Sequence, residues 1–143
     1  LLKSKDKIKI QKFWLVLLFV ALSVLLADQI SVHLFKNVFQ RLRPCHEDEL
    51  YEKLHMVKGC GGKYGFISSH ATNSFAVAVL IIALLRQNHR WILPVMLVYA
   101  ISVSYSRVYL GVHYPLDVIA GGTVGSLIGL ICYRLFVIVY RRI

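Results

Sequence analysis

The chain has 143 residues, one domain's length, of which 57% are hydrophobic and 17% charged, with a mean hydropathy of +0.63. A soluble domain carries roughly 25% charge, and three Cys and three Pro are too few for a disulfide scaffold or collagen. The net charge of +10 would suit nucleic acid in a soluble protein. Here the basic residues flank long apolar runs, so a bilayer is the expected partner and nucleic acid is not.

In chain order, a basic stretch from Lys3 to Lys12 precedes an apolar run from Phe13 to Phe35, interrupted by Asp28 and His33. Further runs cover Ile67–Leu85, Trp91–Tyr105 and Leu116–Tyr140. Each is near the ~17–25 residues that cross a bilayer as a helix. The expected fold is all-α, a polytopic transmembrane bundle with at least four spanning helices, forming a single membrane domain over 1–143. The chain opens in a basic stretch without Met, and an N-terminal portion is expected to precede it. No cleavable signal peptide is visible.

With the N-terminus inside, the cytoplasmic ends carry ten basic residues, from the 3–12 cluster, Arg86, Arg90, Arg134, Arg141 and Arg142, opposed only by Asp6. The other side carries seven, mixed with Glu47, Asp48, Glu49 and Glu52. The positive-inside rule therefore predicts a cytoplasmic N-terminus. Alternating helix direction then gathers four groups on the outer side: Lys36 with Arg41 and Arg43; Ser68, Ser69 and His70; Ser106 and Arg107; and His113 with Asp117. The active site is expected at this extracytoplasmic mouth.

Such a set suits a phosphate. Lys36, Arg43 and Arg107 can neutralise a dianion, with bidentate bonds from arginine. The start of the second helix offers free N–H groups, and Ser68 adds a hydroxyl. His113 and Asp117 are four residues apart, on one face of a helical turn ~6 Å apart along its axis. A carboxylate so placed can hold an imidazole in one tautomer and stabilise its positive charge. His70 is a second imidazole for proton transfer.

The spacing resembles the type 2 phosphatidic acid phosphatase superfamily, membrane lipid phosphatases related to vanadium haloperoxidases. Lys36-x6-Arg43-Pro44 and Ser106-Arg107-x5-His113-x3-Asp117 match two of its three signatures in full. Ile67-Ser68-Ser69-His70 keeps the serine and histidine of the third, P-S-G-H, and replaces its proline and glycine. The resemblance implies that His113 attacks phosphorus and forms a phosphohistidine, with Asp117 orienting it. His70 protonates the leaving oxygen and then activates water. Lys36, Arg43, Ser68, Ser69 and Arg107 hold the phosphoryl oxygens. No metal and no cofactor are implied. The implied substrate is a lipid phosphate, undecaprenyl diphosphate first, with phosphatidylglycerophosphate, phosphatidate and lipid A phosphates as alternatives. A non-catalytic phospholipid-binding membrane protein is the reading from a different class. The expected location is a bacterial inner (cell) membrane with the site facing the periplasm or cell exterior. Family members commonly have a six-helix core, which agrees with a missing N-terminal portion.

The remaining polar residues are expected to be structural. Arg41 is read as a snorkelling interface residue, His33 as interfacial, and His46 through Glu49 as a solvated acidic run rather than metal ligands. Asp28 is read either as support for the cationic site or as a buried helix–helix hydrogen bond. Cys45 and Cys60 fall in the outer loop, where a disulfide is expected, while Cys132 lies within the last span. Leu50, Leu54 and Val57 recur at helical spacing, predicting a short surface helix over Glu47–Val57. Gly121, Gly125 and Gly129 form a small-residue stripe for close helix packing.

Overall fold

The computed structural model describes residues 4–52 and 59–142, with side chains from Ile10 onward. All regular structure among them is helical, apart from one antiparallel bridge between Leu42 and Tyr64. Helix α1 (Ser4–Ile30) runs without a break into a π-helical turn (Ser31–Lys36) and a one-turn helix, α2 (Asn37–Phe39). A 3-10 turn (Pro44–His46) leads to α3 (Asp48–Tyr51), followed by the long helices α4 (Ser69–Leu85), α5 (Ile92–Tyr109) and α6 (Pro115–Tyr140).

Ile10–Phe39, Ile92–Tyr109 and Pro115–Tyr140 are long and apolar enough to cross a membrane. With 17 residues, α4 sits at the lower end of the ~17–25 that a bilayer requires. It is shorter than the apolar run suggested, because Ile67 and Ser68 are spent on an extended approach and a cap. Ser68 has φ −74° and ψ 109°, and its side chain accepts the Ala71 N–H. Conversely, α5 outlasts its apolar run and carries Ser106 and Arg107 in its last turns before Gly111, at φ +64°, reverses the chain. The surface helix expected over Glu47–Val57 is seen as the single turn α3; residues 53–58 lie outside the described residues.

Packing is inverted relative to a soluble bundle. Large apolar side chains such as Trp14, Leu18, Leu25, Val98, Ile101, Ile119 and Ile131 are exposed on the outside, where lipid chains solvate them as well as a protein core would. The interior is built from Phe19, Ala27, Ala76, Leu80, Ile128, Cys132 and Phe136. Lys12 lies over the Tyr140 ring at 4.5 Å, pairing the start of α1 with the end of α6. At the other end, the α1 extension, the start of α4 and the start of α6 converge.

The closest approach is between α4 and α6. A Cβ built on Gly121, Gly125 or Gly129 would lie 2.7, 2.2 or 2.5 Å from the carbonyl oxygens of Ser68, Thr72 and Ala76. The glycine stripe thus presses directly on the α4 backbone, one turn against the next. Its outermost contact brings the Ser68 N–H within 3.0 Å of the Asp117 carbonyl. Between α5 and α6 the fit is looser and leaves an apolar cavity of about 500 Å³, lined by residues that include Phe75, Tyr105, Val118 and Ile119.

Candidate active site

The N-terminus of α6 sets the base of the site. Pro115 begins the helix, and the Asp117 Oδ2 accepts the Tyr114 backbone N–H at 2.9 Å, while the Asp117 N–H bonds the Tyr114 carbonyl at 3.0 Å. This reciprocal cap fixes the Asp117 carboxylate in a position with no solvent exposure. His113, also buried, places Nδ1 3.5 Å from Asp117 Oδ2. That separation is longer than a hydrogen bond, as in many resting catalytic dyads, which tighten when substrate binds.

Burial pushes the His113 imidazole down to about 3, helped by the positive charges of Arg43 and Lys36 and by His70, against an opposing backbone hydrogen bond with Gly65. The imidazole is therefore neutral at physiological pH. With the Asp117 carboxylate facing Nδ1, Nε2 is the nitrogen left for chemistry.

The cations arrive from three elements. Lys36 ends the π-helical turn, and its Nζ donates to Ser69 Oγ at 2.6 Å; Ser31 Oγ lies 2.6 Å from the same oxygen. Residues five apart stand about 140° apart on a regular α-helix. The wider π turn brings Ser31 and Lys36 nearer to one face, so both reach Ser69. Arg43 precedes Pro44, which confines it to extended backbone (φ −76°, ψ 154°). Its guanidinium donates to the carbonyls of Tyr64 (3.4 Å) and Cys60 (3.3 Å). Burial and the nearby Arg107 charge pull Arg43 below its ordinary value. Arg107 donates from Nε to Ser106 Oγ at 3.1 Å, and that hydroxyl is tied to the Val103 carbonyl. Among the described residues, Lys36, Arg43 and Arg107 make no ion pair with a carboxylate. Three crowded, half-buried cations without counter-ions are arranged to receive an anion.

Ser68 is fully buried as the α4 cap, and its hydroxyl keeps its proton for donation. Exposed His70 follows one residue after Ser69 in the first turn. Cys45 and Cys60 are bonded, with Cα atoms 5.8 Å apart, closing the loop that carries the Arg43 acceptor. Gly65 lies between Arg43 and Asp117: a Cβ there would stand 3.1 Å from Arg43 Cγ and 3.4 Å from Asp117 Oδ2.

Arg41 corrects the sequence reading. It is not a snorkelling residue: its guanidinium forms an ion pair with Asp117 Oδ1, lying 4.9 Å from the Phe66 ring and 4.9 Å from the Tyr114 ring. The signal was available in Arg41-Leu42-Arg43-Pro44, because an extended segment puts alternate residues on one face. Ser31 and Gly65 were also missed, and no motif marks them. Asp28 is half-buried with no ion pair among the described residues. His33, His46, Asp48 and Glu49 are exposed.

The family model of the PAP2 superfamily matches residues 13–141. A lipid A 4'-phosphatase of Porphyromonas gingivalis is 40% identical over 86% of this chain and 52% of the relative. A second lipid A 4'-phosphatase, from Bacteroides thetaiotaomicron, is 38% identical over 80% of the chain and 51% of its own length. An undecaprenyl-diphosphatase of Sulfolobus acidocaldarius is 34% identical over 70% and 46%. The chain thus spans about half the length of these relatives. No solved structure matches it.

Proposed function

The chain belongs to the PAP2 superfamily, and on that premise we propose that it is a membrane lipid phosphatase working through a phosphohistidine. One observation carries this reading. A neutral, buried His113 stands against the Asp117 carboxylate, beside half-buried cations that lack carboxylate partners. Nε2 of His113 attacks phosphorus, forming the P–N bond as the P–O bond to the leaving group breaks. His70 gives its proton to the departing oxygen. It then takes a proton from water, whose oxygen attacks phosphorus and expels His113. Asp117 offsets the imidazolium charge in the intermediate. Lys36, Arg43 and Arg107 bind the equatorial oxygens, whose charge is redistributed at the transition state. These cations supply the charge that a metal supplies elsewhere, so divalent ions are not required.

The substrate is a lipid-anchored phosphate presented from the membrane. The motifs recognise only the phosphate group, and it was the resemblance of a compact chain to bacterial enzymes that recycle undecaprenyl diphosphate that put this substrate first. Names of the 40% and 38% identical relatives support a phosphate monoester on a glycolipid, as in lipid A 4'-phosphate, ahead of a polyprenyl diphosphate, whose support comes at 34%. The chemistry takes place at the extracytoplasmic face of a bacterial membrane, where such lipids present their head groups.

The test uses the full-length protein purified in detergent, with lipid A, undecaprenyl diphosphate, phosphatidylglycerophosphate and phosphatidate in competition. Phosphate release should persist in EDTA, stop with vanadate and favour lipid A. A strict need for divalent metal would sink the mechanism, and preference for undecaprenyl diphosphate would reverse the substrate order. Turnover by His113→Ala would remove the nucleophile assignment.

A further inference from the structure

Arg41 belongs to none of the residues assigned to the phosphate, yet it holds the carboxylate on which the proposed nucleophile depends. Asp117 is fully buried, and an ionised carboxylate without a partner is not tolerated at such a position. Its Oδ2 is committed to the Tyr114 N–H and faces His113 Nδ1. Among the described residues, its Oδ1 pairs with Arg41 alone. Lys36, Arg43 and Arg107 do not pair with it among the described residues. The cations of the site are thereby divided: one is assigned to the carboxylate, and three remain for substrate.

Arg41 is itself held on several sides. The rings of Phe66 and Tyr114 each lie 4.9 Å from its guanidinium carbon, an arrangement that the planar, delocalised arginine cation fits and the point charge of lysine does not. Its carbonyl accepts the Gly65 N–H at 2.9 Å, and the next residue, Leu42, bridges to Tyr64. The Arg41 side chain retains 35% exposure against none for Asp117, so it caps the carboxylate from the solvent side. Gly65 lies between Asp117 and Arg43, a Cβ on it standing 3.4 Å from Asp117 Oδ2 and 3.1 Å from Arg43 Cγ. A carboxylate freed from Arg41 loses the partner that fixes Oδ1 and is free to turn away from His113.

We propose that Arg41, its guanidinium set against the Phe66 and Tyr114 rings, is a positioning residue that clamps Oδ1 of Asp117 and so keeps Oδ2 aimed at His113. The inference rests on reading His113 as the nucleophile. It concerns orientation of the dyad and assigns Arg41 no contact with substrate.

The experiment is a double-mutant cycle in the full-length protein in detergent. It measures kcat and KM for the preferred lipid phosphate, with thermal unfolding followed in parallel. Arg41→Gln should lower kcat by about 10- to 100-fold, by analogy with the loss of an outer partner that orients a metal-binding side chain, with KM within about twofold. Arg41→Lys should recover part of the loss, since it keeps the charge and loses the stacking. In an Asp117→Asn background, Arg41→Gln should change kcat by less than about twofold, because its effect passes through the carboxylate. If Arg41→Gln fails to fold, Arg41→Lys carries the cycle, and its smaller kcat deficit should vanish in the same background. A raised KM with intact kcat would overturn the inference by placing Arg41 on the substrate. Equal losses with and without Asp117 would overturn it by making Arg41 act independently, and an unchanged kcat would leave Arg41 no role. Failure of the underlying reading looks different: the wild type releases no phosphate, or His113→Ala does, whatever the Arg41 variants show.

Discussion

His113 is where burial and charge act most strongly on one side chain. Burial, Arg43 and Lys36 together hold it down at about 3, against an ordinary value of 6.5. Its folded value lies below its unfolded one, so protonation favours the unfolded chain. Holding the imidazole neutral costs no stability above pH 6.5, and the cost grows as pH falls from 6.5 towards 3. Imidazole NMR of the protein in micelles should accordingly show no protonation of His113 between pH 8 and 5. Any acid limb of kcat/KM in that window should come from other groups or from the substrate. A His113 titration midpoint near 6.5 would show that neither burial nor the surrounding cations act on it. That His113, Asp117, Lys36, Arg43 and Arg107 gather at one end was legible from residue type and spacing, because they are reactive groups at repeated helix ends, while their roles belong to the proposal above. Arg41 was passed over for the opposite reason: a lone arginine at a membrane edge has an adequate bland explanation, which outweighed its alternation with Arg43, and the pairing of residues 41–43 with 63–65 is what places it in the site. Ser31 was hidden because regular α-helical geometry turns it away from Lys36.

At the scale of elements, the site is held together by two devices, the glycine stripe of α6 and the disulfide of the outer loop. Gly125 is the tightest point of the stripe, with a built Cβ 2.2 Å from the Thr72 carbonyl oxygen and 2.9 Å from its carbon. Backbone atoms cannot swing aside as a side chain can, so Gly125→Leu must force α4 and α6 apart. The expected cost is about 3 kcal/mol or more, at the upper end of overpacking, seen as a lowered Tm in detergent. Any folded fraction should also lose turnover, since the same helix pair carries the Ser68–Asp117 bond. Gly59→Ala is the control: among the described residues nothing lies within 4 Å of its Cβ, and it should leave Tm unchanged. The disulfide spans 15 residues, a loop whose closure is worth about 3 kcal/mol on the chain-entropy account. Cys45→Ser should remove that stabilisation and release the Cys60 carbonyl that anchors Arg43. KM should then rise more than kcat falls, measured at saturating and limiting lipid. The long helices and the stripe were legible because their periodicity is set by the bilayer and by close packing. The π-helical turn was not, because it answers a contact made 33 residues away, between Lys36 and Ser69.

For the whole molecule, the decisive question is which side of the membrane the four converging helix ends face. Charge gives one answer: the opposite ends hold the 3–12 cluster, Arg86, Arg90 and the 134–142 arginines, and such clusters are retained in the cytoplasm. Fold geometry fits this arrangement, since Lys12 meets Tyr140 at one end while Lys36 meets Ser69 at the other. Membrane energetics add a constraint on depth. Placing Lys36 or Arg107 at the bilayer centre would cost about 3 kcal/mol or more each, which favours a site at the interface, where the proposed lipid phosphate could enter while its chains stay in the membrane. Exposed Lys63 lies on the site's side and exposed His89 on the other, so they report opposite faces. Single cysteines at these positions are introduced into a chain whose Cys45, Cys60 and Cys132 are replaced by serine. Intact cells are then treated with a membrane-impermeant thiol reagent. Position 63 should be labelled and position 89 spared until the cells are opened. Labelling of 89 in place of 63 would put the site in the cytoplasm, where the lipids expected on the outer face are out of its reach.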